Sequence, residues 1–126
     1  MTDRKNRLKK LVEVQEQLKA LHETRRAGFL AEANAAKQEA KALAERFDAE
    51  GSLAGLFPEL YHNRIAGALR RQDESLEKAR AEAAKVAAAT ARTNMVERAY
   101  KAARRDDERR RGDRERLEII EQKRGR

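Results

Sequence analysis

Two long lines of apolar residues run along the chain at helical spacing, separated by one short break. In the first half Leu11, Val14, Leu18 and Leu21 recur at steps of three and four, with Leu8 ahead of them. That is the heptad stripe of a helix packing lengthwise against another helix. The line continues as Phe29, Ala33, Ala36, Ala40, Leu43 and Phe47, displaced by one residue. Steps of four through positions 21, 25 and 29 predict a stutter, with local unwinding and loose packing at Arg25 and Gly28. In the second half the line reads Tyr61, Ile65, Leu69, Gln72, Leu76, Ala79, Ala83, Val86, Thr90, Thr93, Val96 and Tyr100, and then stops. Its middle is mostly alanine and threonine, so the pairing is expected to be marginal there and better sealed towards both ends. The small Ala33, Ala36 and Ala40 let a partner helix come close.

The break is Gly51 to Tyr61, which holds two of the six glycines and the single proline. Gly51 follows a helix end and tolerates the left-handed conformation that closes one, with Gly55 a second permissive point. Pro58 suits the first turn of a helix, where its missing N–H costs little. Leu56 and Tyr61 have the spacing of a hydrophobic staple, so Phe57, Leu60 and Tyr61 are expected to close this end. At the other end Thr2 or Asp3 can cap the first helix. The pattern predicts a helix over 4–50, a turn over 51–58 and a helix over 59–122, one domain across 1–126. The fold class is all-α, an antiparallel two-helix coiled-coil hairpin with an overhanging C-terminal helix. With the turn centred near residue 54, residues 109–126 have no partner from the first helix, an overhang of about 25 Å if helical.

Composition agrees with a long helical seam. Charged residues make up 41%, aromatics 4%, and the mean hydropathy is −0.98, which is coiled-coil composition. Cysteine is absent, so there is no disulfide framework. No apolar run approaches the roughly 20 residues that span a bilayer, and the charged N-terminus lacks a signal-peptide core. A cytoplasmic location is the default expectation.

Charge changes the picture more. The net charge is +8. Residues 1–10 hold five bases and one acid, net +4, and residues 101–126 hold eleven bases and seven acids, again +4, leaving zero for 11–100. A fold-back would gather both basic segments at one end.

The chemistry of catalysis is missing. No glycine-rich phosphate loop or nucleophile elbow occurs. His22 and His62 are far apart in the hairpin and lack companion ligands, so they are expected to be seam or surface residues. The acids Asp106, Asp107 and Glu108 have no shielded pocket to separate their pKa values. The expectation is a protein that is not an enzyme and needs no metal and no cofactor. The run from Arg104 to Arg116 pairs acids and bases three and four apart, which supports an exposed helix. It also offers Arg104, Arg105, Arg109, Arg110 and Arg111 to an acidic surface. Arg4, Lys5 and Arg7 join them across the fold-back, and Leu117 and Ile120 add an uncovered apolar pair. These ten are the candidate protein-binding residues. Nucleic acid is disfavoured, because no aromatic is interleaved for stacking and the acids would repel a phosphate backbone.

Two segments carry a resemblance: Arg7-Leu-Lys-Lys-Leu-Val-Glu-Val-Gln-Glu-Gln-Leu-Lys-Ala-Leu21, and Met95-Val-Glu-Arg-Ala-Tyr100 leading into the charged tail. In these and in its length and basic converging ends, the chain resembles the flagellar export protein FliJ family, with the stalk proteins of type III secretion. The resemblance implies a non-enzymatic part of the export apparatus. Its paired helix ends would engage the ring of the export ATPase. Its further partners would be the export gate membrane protein and the export chaperones, which would hold it peripherally at the inner membrane. The alternatives left open are a basic nucleic-acid-associated helical protein and a structural homo-oligomeric coiled coil.

Overall fold

The computed structural model describes residues Thr2–Gly125, the side chains of Thr2 and Ala54 excepted. The described chain is all-helical. Helix α1 spans Thr2–Asp48, a three-residue 3-10 turn spans Leu53–Gly55, and helix α2 spans Pro58–Arg124. α1 begins at Thr2, so Asp3 lies in its first turn instead of capping it. There its carboxylate faces the positive end of the helix dipole. The side chain of Thr2 lies outside the described residues.

The chain forms two compact units. One joins Met1–Lys19 to Ala88–Arg126, and the other is Ala20–Ala87. Each contains a piece of both helices.

In the 20–87 unit the chain reverses through the turn. Gly51 takes φ of +73°, a left-handed conformation that costs an L side chain about 1–2 kcal/mol. Gly55 needs no such freedom, since Gly51 is the only glycine with positive φ. The Ser52 amide donates to the Ala49 carbonyl at 3.2 Å, and the Leu56 and Phe57 amides both donate to the Leu53 carbonyl. Pro58 then opens α2. The expected staple does not form. Leu56, Phe57 and Leu60 are exposed, because the 3-10 turn directs them outward. Tyr61 alone closes this end, edge-on to Phe47 with ring centroids 6.2 Å apart.

The buried line of α1 in this unit is Phe29, Ala33, Ala36, Ala40, Leu43 and Phe47, as the spacing predicts. On α2 the expected positions Tyr61, Ile65, Gln72, Leu76, Ala79 and Ala83 are buried or half-buried, though the deepest positions lie to one side of that line. The buried residues are Ala68, Ser75, Ala79 and Glu82, while Leu69 is exposed. The helices meet through their smallest side chains, which allows the close approach that larger ones would prevent. The alanine-rich middle is consequently the most deeply buried part.

In the other unit the inward positions of α1 are Lys5, Leu8, Val12, Gln15 and Lys19, all half-buried. Leu11, Val14 and Leu18, the expected stripe, are exposed. These positions run in steps of three and four to His22; residues 23–28 are all exposed, and Phe29 resumes the line seven residues on, in the same heptad phase, so the expected slip is a gap instead of a stutter. Arg25 and Gly28 lie on the exposed side. On α2 the inward line is Ala89, Thr93, Val96 and Tyr100, and it does not stop there. Ala103, Asp107 and Arg110 continue it, half-buried. α2 has 67 residues against 47 in α1. From Asp113 to Gly125 every residue is exposed.

Candidate functional site

The ten candidate residues all belong to the unit formed by Met1–Lys19 and Ala88–Arg126. On α1, Arg4 and Arg7 are exposed and Lys5 is half-buried. The Arg7 Nε donates to the Asp3 carbonyl at 3.3 Å.

On α2 the arginines divide. Arg104 pairs with Glu108 at 3.2 Å, Arg110 with Asp106 at 3.2 Å and Arg116 with Asp113 at 3.8 Å. Each pair is one helical turn within α2, worth a few tenths of a kcal/mol. Among the described residues, Arg105, Arg109, Arg111 and Arg114 make no ion pair. Arg105 and Arg109, four apart, share one face of the helix, and Arg111 and Arg114, three apart, share another. The run is thus half self-compensated and half available. Leu117 and Ile120 are 60% and 50% exposed, and Ile119 joins them at 53%.

The division into units sharpens the charge map. Residues 20–87 contain eleven bases and eleven acids, net zero, so the whole +8 lies in the other unit. The two basic ends, separated by the full sequence, are in one body.

The neutral unit holds a buried polar pair of the seam. His22 Nδ1 lies 2.7 Å from Glu82 Oε2, with side chains 19% and 7% exposed. Lys85 donates to the other carboxylate oxygen at 3.3 Å. Burial pushes the Glu82 carboxyl up, but the hydrogen bonds and charges of His22 and Lys85 outweigh it and hold the group below its ordinary value. A carboxylate accepting from His22 requires the proton on Nδ1. The sequence line ran through Ala83 and missed Glu82. The one available signal was that residue 82 lies seven before Ala89 and seven after Ser75. His62 is a surface residue tilted against Phe47, centroids 5.1 Å apart.

The remaining surface features are open grooves. Glu32, Glu39, Arg71, Glu74 and Lys78 line one, bridged by an exposed Glu39–Arg71 pair at 2.8 Å. Lys9, Val12, Glu13, Glu97, Tyr100 and Lys101 line another in the basic unit. No group of three or more acids and histidines among the described residues is placed to hold a metal ion. Among the described residues, no helix is long and apolar enough to cross a membrane.

Comparison with protein families, characterised proteins and solved structures gives no match.

Proposed function

We propose that this chain is a non-enzymatic coiled-coil adaptor that engages an acidic protein partner through its basic unit. The observation that carries the reading is the charge partition: net +8 in one unit and zero in the other. A helical body with cationic ends is suited to an acidic-lined opening, and long-range attraction speeds such an encounter more than it tightens it. The resemblance of Arg7–Leu21 and Met95–Tyr100 to the flagellar export stalk family names the partner. It is the export ATPase ring, with the export gate and chaperones as further contacts. On this reading the protein works in the cytoplasm, held at the inner membrane through those partners, and the end of α2 extends beyond α1 to enter the ring. Arg105, Arg109 and Arg111 are the residues to lead, since no carboxylate among the described residues pairs with them, and Arg104 and Arg110 come second.

Reversing Arg105, Arg109 and Arg111 to Glu tests this. The variant should keep its helicity and lose about tenfold or more in affinity for the export ATPase, mostly through a slower association. Equal binding by wild type and variant would sink the export reading. Tight binding of wild type to DNA or RNA, with a steep salt slope, would replace it with the nucleic-acid alternative.

A further inference from the structure

The basic unit has two lateral sides, and they differ. One is the groove lined by Lys9, Val12 and Glu13 of α1 and Glu97, Tyr100 and Lys101 of α2. On α1 the residues flanking the seam on the opposite side are Arg4, Arg7, Leu11, Val14 and Leu18. On α2 they are Arg92, Met95, Ala99 and Asp106. Antiparallel pairing puts these two rows on the same side. Leu11, Val14 and Leu18 are between 39% and 48% exposed, and Met95 is 66% exposed. The one carboxylate of the two rows, Asp106, is engaged by Arg110 at 3.2 Å. The result is an apolar strip with a cationic rim of Arg4, Arg7 and Arg92. In the other unit the corresponding side is charged, with Glu32, Glu39, Arg71 and Lys78, so the strip does not follow from the heptad pattern itself.

A surface of matching character lies near the C-terminal end of α2. Leu117, Ile119 and Ile120 are all at least half exposed. They sit within residues 113–121, where Asp113, Glu115, Glu118 and Glu121 face only Arg114 and Arg116, net −2. The stretches on either side, 101–112 and 122–126, are each net +3. The exposed apolar residues of the tail therefore lie in a net-acidic stretch. The tail cannot reach the strip of its own chain. α2 is continuous to Arg124, and Leu117 is about 27 Å along it from Ala99.

We infer that the acidic apolar stretch 113–121 docks on the Leu11–Val14–Leu18–Met95 strip of a second copy of this chain. The exchange is reciprocal, so that each tail covers the other copy's strip and the assembly closes as a twofold dimer. Leu117 and Ile120, three apart, match the three-residue step of Leu11 and Val14. The carboxylates of the tail meet Arg7 and Arg92. Pairing strip on strip would oppose those arginines to each other. This inference does not rest on the export reading.

Sedimentation equilibrium of the full chain across the micromolar range is the test, with two surface variants and a cross-link. Wild type should reach dimer mass. Leu117→Glu with Ile120→Glu, and separately Val14→Glu with Leu18→Glu, should each weaken dimerisation about tenfold or more while helicity is kept. The chain has no cysteine, so mixing a Val14→Cys chain with an Ile120→Cys chain should give a disulfide between the two variants. A wild type that stays monomeric, a dimer indifferent to both double variants, or cross-links formed only between identical variants would each overturn the inference.

Discussion

His22 and Glu82 are a close polar pair inside the seam, and their cost and use can be separated. Glu82 is almost fully buried, while His22 retains some access to water. Replacing His22 by Leu leaves the Glu82 carboxylate with only Lys85 beside it, and should destabilise the fold. Replacing both residues by Leu should be neutral or stabilising, because burying a charge costs as much as the pair returns. The double variant should instead lose register, since a buried polar pair is what distinguishes one alignment of alanines from the next. Disulfide cross-linking between positions across the seam measures that loss directly. The pair also sets a pH dependence. The Glu82 carboxyl is held below its ordinary value of 4.5, so the folded chain binds that proton more weakly than the unfolded chain. The stabilisation is complete above pH 4.5 and disappears as the pH falls through the folded value. Thermal melts of wild type and Glu82→Gln should converge as the pH is lowered below 4.5. A gap that stays constant down to strongly acid pH would show that the carboxylate contributes nothing as an ion.

At the scale of the helices, glycine position decides the sign of a substitution. Gly51→Ala forces an L side chain into φ of +73° and should destabilise by about 1–2 kcal/mol. Gly28→Ala should do the reverse, by about 0.5–1 kcal/mol, because its site is helical and nothing lies within 4 Å of the added methyl. Chemical denaturation of the two variants checks both. The same scale shows what the sequence made legible. Two helices, the break at Gly51 and the start at Pro58 were readable, because stop and start signals are local. Which line faces inward was readable from Phe29 to Phe47 on α1 and, Leu69 apart, from Tyr61 to Tyr100 on α2. Elsewhere size misled. Leu11, Val14, Leu18 and Leu69 attract attention but are exposed, and on α1 the neighbouring line of Leu8, Val12 and Gln15 takes the seam. Lys19 can sit on that line because a long side chain buries its stem and lifts its polar end outward, whereas Gln15 keeps its Oε1 buried without a hydrogen-bond partner. The candidate site was legible as charge, which is a sum over residues. It was less legible as availability, because Arg104 and Arg110 turn back to Glu108 and Asp106.

For the molecule as a whole, the charge partition predicts a difference in how the two units respond to salt. Eight net positive charges repel one another within the unit of Met1–Lys19 and Ala88–Arg126. Its ion pairs on α2 are exposed and lie within one helix, so they hold that helix without tying α1 to it. The screening length is about 30 Å at 0.01 M salt and about 8 Å at 0.15 M, so low salt leaves most of the repulsion in place and physiological salt removes much of it. The neutral unit has no net repulsion to lose, and its exposed Glu39–Arg71 pair contributes about 0–1 kcal/mol that salt weakens. Raising salt across that range should therefore slow amide hydrogen exchange in residues 5–19 and 88–110, and leave it unchanged or slightly faster in residues 29–47 and 61–82. Exchange measured by mass spectrometry on peptides from each unit reads both at once. Neutralising Arg4, Lys5 and Arg7 to Gln should reproduce the effect of salt on the first set without added salt. If the basic unit exchanges at the same rate at both salt concentrations, its two positive segments are not close enough to feel each other, and the gathered charge that supports the partner reading fails with it.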